Sequence, residues 1–180
     1  MQHMKSMSPI RYVLAATAAS LLLSACVSSP PTAPPVAVDS TTPAQRMTAV
    51  EQIAGVDDTE LTVQPLRDPQ VEDLRESAIA KRRAGDLAGA AEALNEALLQ
   101  VENDPGILQE RAEIALLQAD WARAETLSRK ALDLGSRTGP LCRRHWATIE
   151  QSRLARAEKE NAVSAHAQIE GCTVPGIKRY

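Results

Sequence analysis

A chain of 180 residues with 20 basic and 23 acidic side chains carries a formal net charge of −3 at pH 7. That balance argues against a nucleic-acid partner, which calls for a concentrated basic surface. Aromatic residues are 2% of the chain with no Phe, which leaves no base-stacking platform, while abundant Ala suits closely packed helices in one domain of ordinary size.

The first element is an apolar run over 12–23, preceded by Lys5 and Arg11, interrupted only by Thr17 and Ser20, and closed by the small residues Ser24 and Ala25. This is the layout of an export signal. At about 1.5 Å per residue the run covers roughly 18 Å, short of the roughly 30 Å hydrocarbon core of a bilayer. Leu23-Ser24-Ala25-Cys26 resembles the bacterial lipobox. The resemblance implies that residues 1–25 are a lipoprotein signal peptide and that Cys26, freed by cleavage before it, receives a covalent lipid. Several acyl chains on one residue make a durable anchor where a single chain holds only marginally. Val27 rather than Asp follows, which in enteric lipoproteins points to the outer membrane, with the remaining chain facing the periplasm. The competing reading is an ordinary signal peptide cut near Ala25, with Cys26 incidental. Without Lys5 and Arg11 the net charge moves to about −5, further from any nucleic-acid role.

Residues 26–67 read as the lipidated Cys and a linker. Pro30, Pro31, Pro34, Pro35 and Pro43 bias the backbone of 27–45 toward a disordered, semi-rigid polyproline spacer, reaching roughly 60 Å at about 3.1 Å per residue. Met47, Val50 and Ile53 fit one short amphipathic helix stopped by Gly55, and 61–63 is a candidate extended segment.

The helical domain is expected over 68–180. Residues 81–100 lie over 115–134 at an offset of 34, with Leu74 on Leu108, Ala78 on Ala112, Asp86 on Asp120, Ala90 on Ala124 and Ala97 on Ala131. Each copy reads as a helix, a polar turn and a second helix. Asp68-Pro69 and Asp104-Pro105 are an N-cap followed by proline at the first helical position. Gly85-Asp86 and Ala119-Asp120 mark the turns. These features resemble the tetratricopeptide repeat, a 34-residue helical hairpin with small residues where its helices approach. The likeness covers about residues 71–135 as two repeats, and departs from the pattern where Lys81 and Ala115 replace an aromatic. The resemblance implies an all-α fold, a short α-solenoid of two hairpins plus a terminal helical hairpin, behind the Pro-rich linker.

A third unit is expected from 140–170, because a stack of this kind needs about three units for an adequate core. Cys142, His145, Trp146 and Ile149 centre on a direction roughly 160° from Leu154, Ala162, Ala165 and Ile169, so a hairpin bending near 152–155 fits better than one straight helix. A hairpin returns Cys172 to Cys142, and an oxidising periplasm favours a Cys142–Cys172 disulfide. His145 and His166 near those cysteines evoke a zinc site, but further ligands are lacking and the disulfide competes for the sulfurs. No catalytic motif stands out, and neither a metal nor any cofactor beyond the lipid is expected.

The chain therefore reads as a binding module rather than an enzyme. By the repeat resemblance, the first helices of the hairpins line a concave groove through Glu72, Arg75, Ile79, Arg82, Arg83, Gln109, Glu113, Leu116 and Leu117, with Arg143 and Glu150 from the third unit. A basic lip beside an apolar floor suits an extended or helical peptide with acidic and apolar residues. The expected partner is another envelope protein: a secretin or pilus subunit, as with pilotins, a peptidoglycan enzyme, or an outer-membrane assembly complex. The rival is a structural lipoprotein that associates with its own copies or the cell wall.

Overall fold

The computed structural model describes residues 39–55, 66 and 68–173. The expected signal peptide, Cys26 and the spacer up to Val38 lie outside the described residues, as do 61–63. Among the described residues there are seven α-helices and no strand: α1 (Pro43–Ala54), α2 (Pro69–Arg83), α3 (Leu87–Gln100), α4 (Pro105–Leu117), α5 (Trp121–Leu134), α6 (Gly139–Ala155) and α7 (Lys159–Gly171).

Short polar side chains set the helix starts. Asp68, Asp86, Asp104 and Asp120 each accept hydrogen bonds from amides of the first turn, and Pro69 and Pro105 occupy positions where no amide is missed. Thr42 opens α1 with a reciprocal cap: its hydroxyl accepts from Gln45 N at 3.2 Å while its own amide donates to Gln45 Oε1 at 2.8 Å.

The turn inside each hairpin is the same motif three times over. In α2–α3, Asp86 N donates to Lys81 O and Gly85 N to Arg82 O; in α4–α5, Asp120 N donates to Ala115 O and Ala119 N to Leu116 O; in α6–α7, Glu158 N donates to Arg153 O and Ala157 N to Leu154 O. This pair of bonds closes a helix through one left-handed residue, here Gly85 (φ 81°), Ala119 (φ 60°) and Ala157 (φ 60°). The terminal segment is thus a hairpin, as its apolar phase indicates, but the helix runs on to Ala155 and the chain reverses at 156–158, just beyond the expected bend.

Packing follows the spacing of small residues. Ala78, Ala90, Ala97, Ala112, Ala124 and Ala131 are all buried, so neighbouring helices approach without bulky side chains between them. Each hairpin packs internally, and successive hairpins join where α3 packs against α4 and α5 against α6. One core joins α2, α3 and α4 through Val71, Leu94, Ile107 and Ile114, and another gathers Leu132, Cys142, Ile149, Ala165 and Cys172 around the third hairpin.

α1 departs from the expected linker. The compact helical unit begins at Asp39 rather than at Asp68, because α1 packs on α6 and α4. Met47 and Val50 are buried with Ala115, Leu116 and Ala147. At its start, buried Arg46 pairs with Asp39, donates to Gln151 O at 3.2 Å and lies 5.7 Å from the centroid of the Trp121 ring.

Candidate functional site

The first helices of the three hairpins, α2, α4 and α6, carry the residues expected to line a groove, and the structure divides them into two sets. Gln109, Glu113, Leu116 and Arg143 are buried and Leu117 is half-buried. Part of the face they form is covered by α1, whose Met47 and Val50 sit against Leu116. Arg143 Nε donates to Ala54 O at 3.2 Å, so this arginine binds the C-terminal end of α1 instead of an incoming peptide. An open groove along the full row is therefore corrected to a shorter cleft. The physical reason is that an apolar face of this size, with an amphipathic segment upstream in the same chain, is buried within the molecule.

Glu72, Arg75, Ile79, Arg82 and Arg83 on α2 remain at or near the surface. Between α2, α4 and α6 lies a cleft of about 270 Å³ lined by Ala78, Ile79, Leu94, Ile114 and Leu141 with Arg82, Glu110, Glu113 and Arg144. Sequence reasoning reached Ile79, Arg82 and Glu113 among these and missed Leu94, Glu110, Leu141 and Arg144. Arg144 stands beside Arg143, the position the repeat resemblance selects.

Two arginines of the expected basic lip, Arg75 and Arg82, are neutralised within the chain. Arg75 Nε donates to Glu110 Oε2 at 2.8 Å and Nη1 to Glu72 Oε1 at 2.6 Å, with the Glu110 bond the main reason its pKa is raised above the usual arginine value. Arg82 pairs with Glu51 of α1 at 2.8 Å and with Glu113 at 3.5 Å. Arg144 holds Glu113 through both oxygens, one bond at 2.7 Å, and that hydrogen bonding raises the Arg144 pKa against the opposing effect of burial. A cleft with its charges already matched selects by shape and apolar contact more than by net attraction.

Glu113 opens a buried polar chain. Gln109 Nε2 donates to Glu113 Oε1 at 3.0 Å and to Thr148 Oγ1 at 2.8 Å, while Gln109 Oε1 accepts from Ser128 Oγ at 3.1 Å and lies 2.7 Å from His145 Nδ1. With the Gln109 carbonyl oxygen facing it, His145 carries its proton on Nδ1. Burial, and secondly the charge of Arg144, push the His145 pKa down to about 4, so the ring is neutral at pH 7. It is a structural member of this chain, far more enclosed than a metal ligand awaiting an ion.

In the first turn of α6, Cys142 forms a disulfide with Cys172, with Cα atoms 5.7 Å apart, and Gly139 N donates to Cys172 O at 2.7 Å. Both sulfurs are thereby removed as zinc ligands, and His166 Nδ1 sits 3.0 Å from Glu150 Oε1. Among the described residues no group of three or more His, Cys, Asp or Glu is placed to hold a metal ion, and no helix is long and apolar enough to cross a membrane.

No protein-family model and no curated protein matches the chain. Among solved structures it is similar to the globular C-terminal domain of P. aeruginosa LpoP, at 27% identity and a TM-score of 0.55, over 58% of this chain and 99% of that one.

Proposed function

We propose that this chain is a lipid-anchored envelope protein of the outer membrane, held through Cys26, whose tetratricopeptide-like helical domain recruits another envelope protein at the cleft between α2, α4 and α6. It acts by binding, not by catalysis, and needs no cofactor beyond its lipid. The observation that carries the reading is the cleft itself: an apolar floor of Ala78, Ile79, Leu94 and Leu141 left open beside ion pairs that are already satisfied. The same inner face accepts one helix, α1, by an apolar stripe and an acidic residue, Glu51, which is the chemistry such faces use for helical ligands. The likeness to the LpoP domain supports a compact C-terminal helical domain as the working part. Of the three classes of client, a secretin or pilus subunit is disfavoured, since pilotins of this fold generally carry more repeats than the three hairpins here, which leaves a peptidoglycan enzyme or an outer-membrane assembly complex.

The test is site-specific photo-crosslinking in intact envelopes. A crosslinker at Ile79, in the cleft, is expected to capture a peptidoglycan enzyme or a component of an outer-membrane assembly complex, and one at Leu99, 83% exposed on α3, is not. Ile79→Glu is expected to abolish capture by a second crosslinker at Leu141. Capture of the same proteins from both positions, or of a second copy of this chain from Ile79, overturns the reading.

A further inference from the structure

The side of α4 turned away from the inner cleft carries Arg111, two positions from both Gln109 and Glu113 and so about 200° around the helix from each. Arg111 is 3% exposed and, among the described residues, has no acidic partner: Nε donates to Asn95 Oδ1 at 2.9 Å, and Nη1 makes no hydrogen bond. The buried arginines of α1 and α6 behave differently, with Arg46 paired to Asp39 and Arg153 to Glu125. Burial, and then the nearby charge of Arg123, lower the Arg111 pKa, with Asp120 opposing them. Asp120 itself is committed to Arg123, at 3.4 Å from its Nε, and to the first turn of α5.

Arg111 lines a cleft of about 450 Å³ together with Asn95 and Leu98 of α3 and Arg123, Thr126 and Leu127 of α5. A desolvated guanidinium without a counter-charge is unfavourable, and a carboxylate relieves that cost by accepting parallel N–H bonds from its planar fork. Leu98 and Leu127 on the same walls suit a carboxylate carried on an apolar stem and suit a phosphate, which is hydrated on every side, poorly. We infer that the α3–α4–α5 cleft is a second binding site, which takes a glutamate side chain of a partner polypeptide, its carboxylate held by Arg111 and Arg123 and its methylenes laid against Leu98 and Leu127. The two clefts lie on opposite sides of α4, so this site stands or falls independently of the inner one.

The test follows arginine Nε–H resonances of the whole ¹⁵N-labelled chain, solubilised in non-ionic detergent, during titration with the blocked peptides Ac-Leu-Glu-Leu-NH2 and Ac-Leu-Gln-Leu-NH2 and, separately, inorganic phosphate. The glutamate peptide is expected to shift the Arg111 Nε–H saturably, with a dissociation constant on the order of 1 mM, and the glutamine peptide at least about tenfold more weakly. Arg111→Met abolishes the glutamate effect. Arg123→Gln, at a side chain 56% exposed and therefore safe for folding, weakens it about fivefold. Absence of a saturable shift, or equal shifts from the two peptides, overturns the site. A tighter response to phosphate than to the glutamate peptide overturns the assignment of its ligand.

Discussion

His145 is fully enclosed and neutral, with a pKa near 4 against an ordinary value near 6.5. Between those values the unfolded chain binds the proton and the folded one does not, so stability falls as the pH drops from about 6.5 toward 4, by an amount on the order of 3 kcal/mol. His145→Gln retains an amide donor toward Gln109 without a titrating ring. Urea unfolding across that range is expected to show a shallower acid slope in the variant than in the parent. The left-handed turn residues give a pair of opposite signs. Gly85 has open space where a Cβ would stand, yet Gly85→Ala is expected to lose about 1 kcal/mol from conformation alone, while Ala119→Gly is expected to gain roughly 0.5 kcal/mol, both read from urea midpoints. Ionic partners were the least legible feature at this scale. Arg75 meets Glu110, and Arg82 meets Glu51 and Glu113, across sequence separations that no local pattern reveals.

At the scale of elements, the first two hairpins were legible because aspartate caps and buried alanines recur at one spacing. The third escaped that search because its turn, 153–158, stands 38 residues after 115–120 instead of 34, and Glu150 occupies the place that Ala78 and Ala112 hold in the others. Burial raises the pKa of Glu150, partly offset by His166, a sign that a carboxylate fits that place poorly. The amphipathic stripe of α1 was readable from Met47, Val50 and Ile53, but not the face it would cover, since a stripe states that burial occurs and leaves its location to the fold. Val50→Ala removes two buried methyls and is expected to cost about 2 kcal/mol. Hydrogen exchange should show α1 amides losing protection while those of α2 and α3 keep theirs, because α1 packs mainly on α4 and α6.

At the scale of the whole molecule, three hairpins are few for a stack, and the third is closed by a cross-link spanning 30 residues. Loop-closure entropy gives such a bond about 3 to 4 kcal/mol. Reduction with alkylation, or Cys172→Ser, is expected to lower the thermal midpoint by roughly 10 °C and to raise exchange first in α6 and α7. Intact mass before and after reduction counts the bond directly. The clasp at Asp39 also has a mechanical consequence. Any pull along the backbone upstream of that residue reaches the Asp39–Arg46 pair first, and through it Gln151 of α6 and the Trp121 ring, so the load enters the disulfide-closed end of the stack. The α2–α3 hairpin meets α1 through the Arg82–Glu51 pair and takes a smaller share of that load, so Ile79 keeps its place in the cleft when the backbone is pulled.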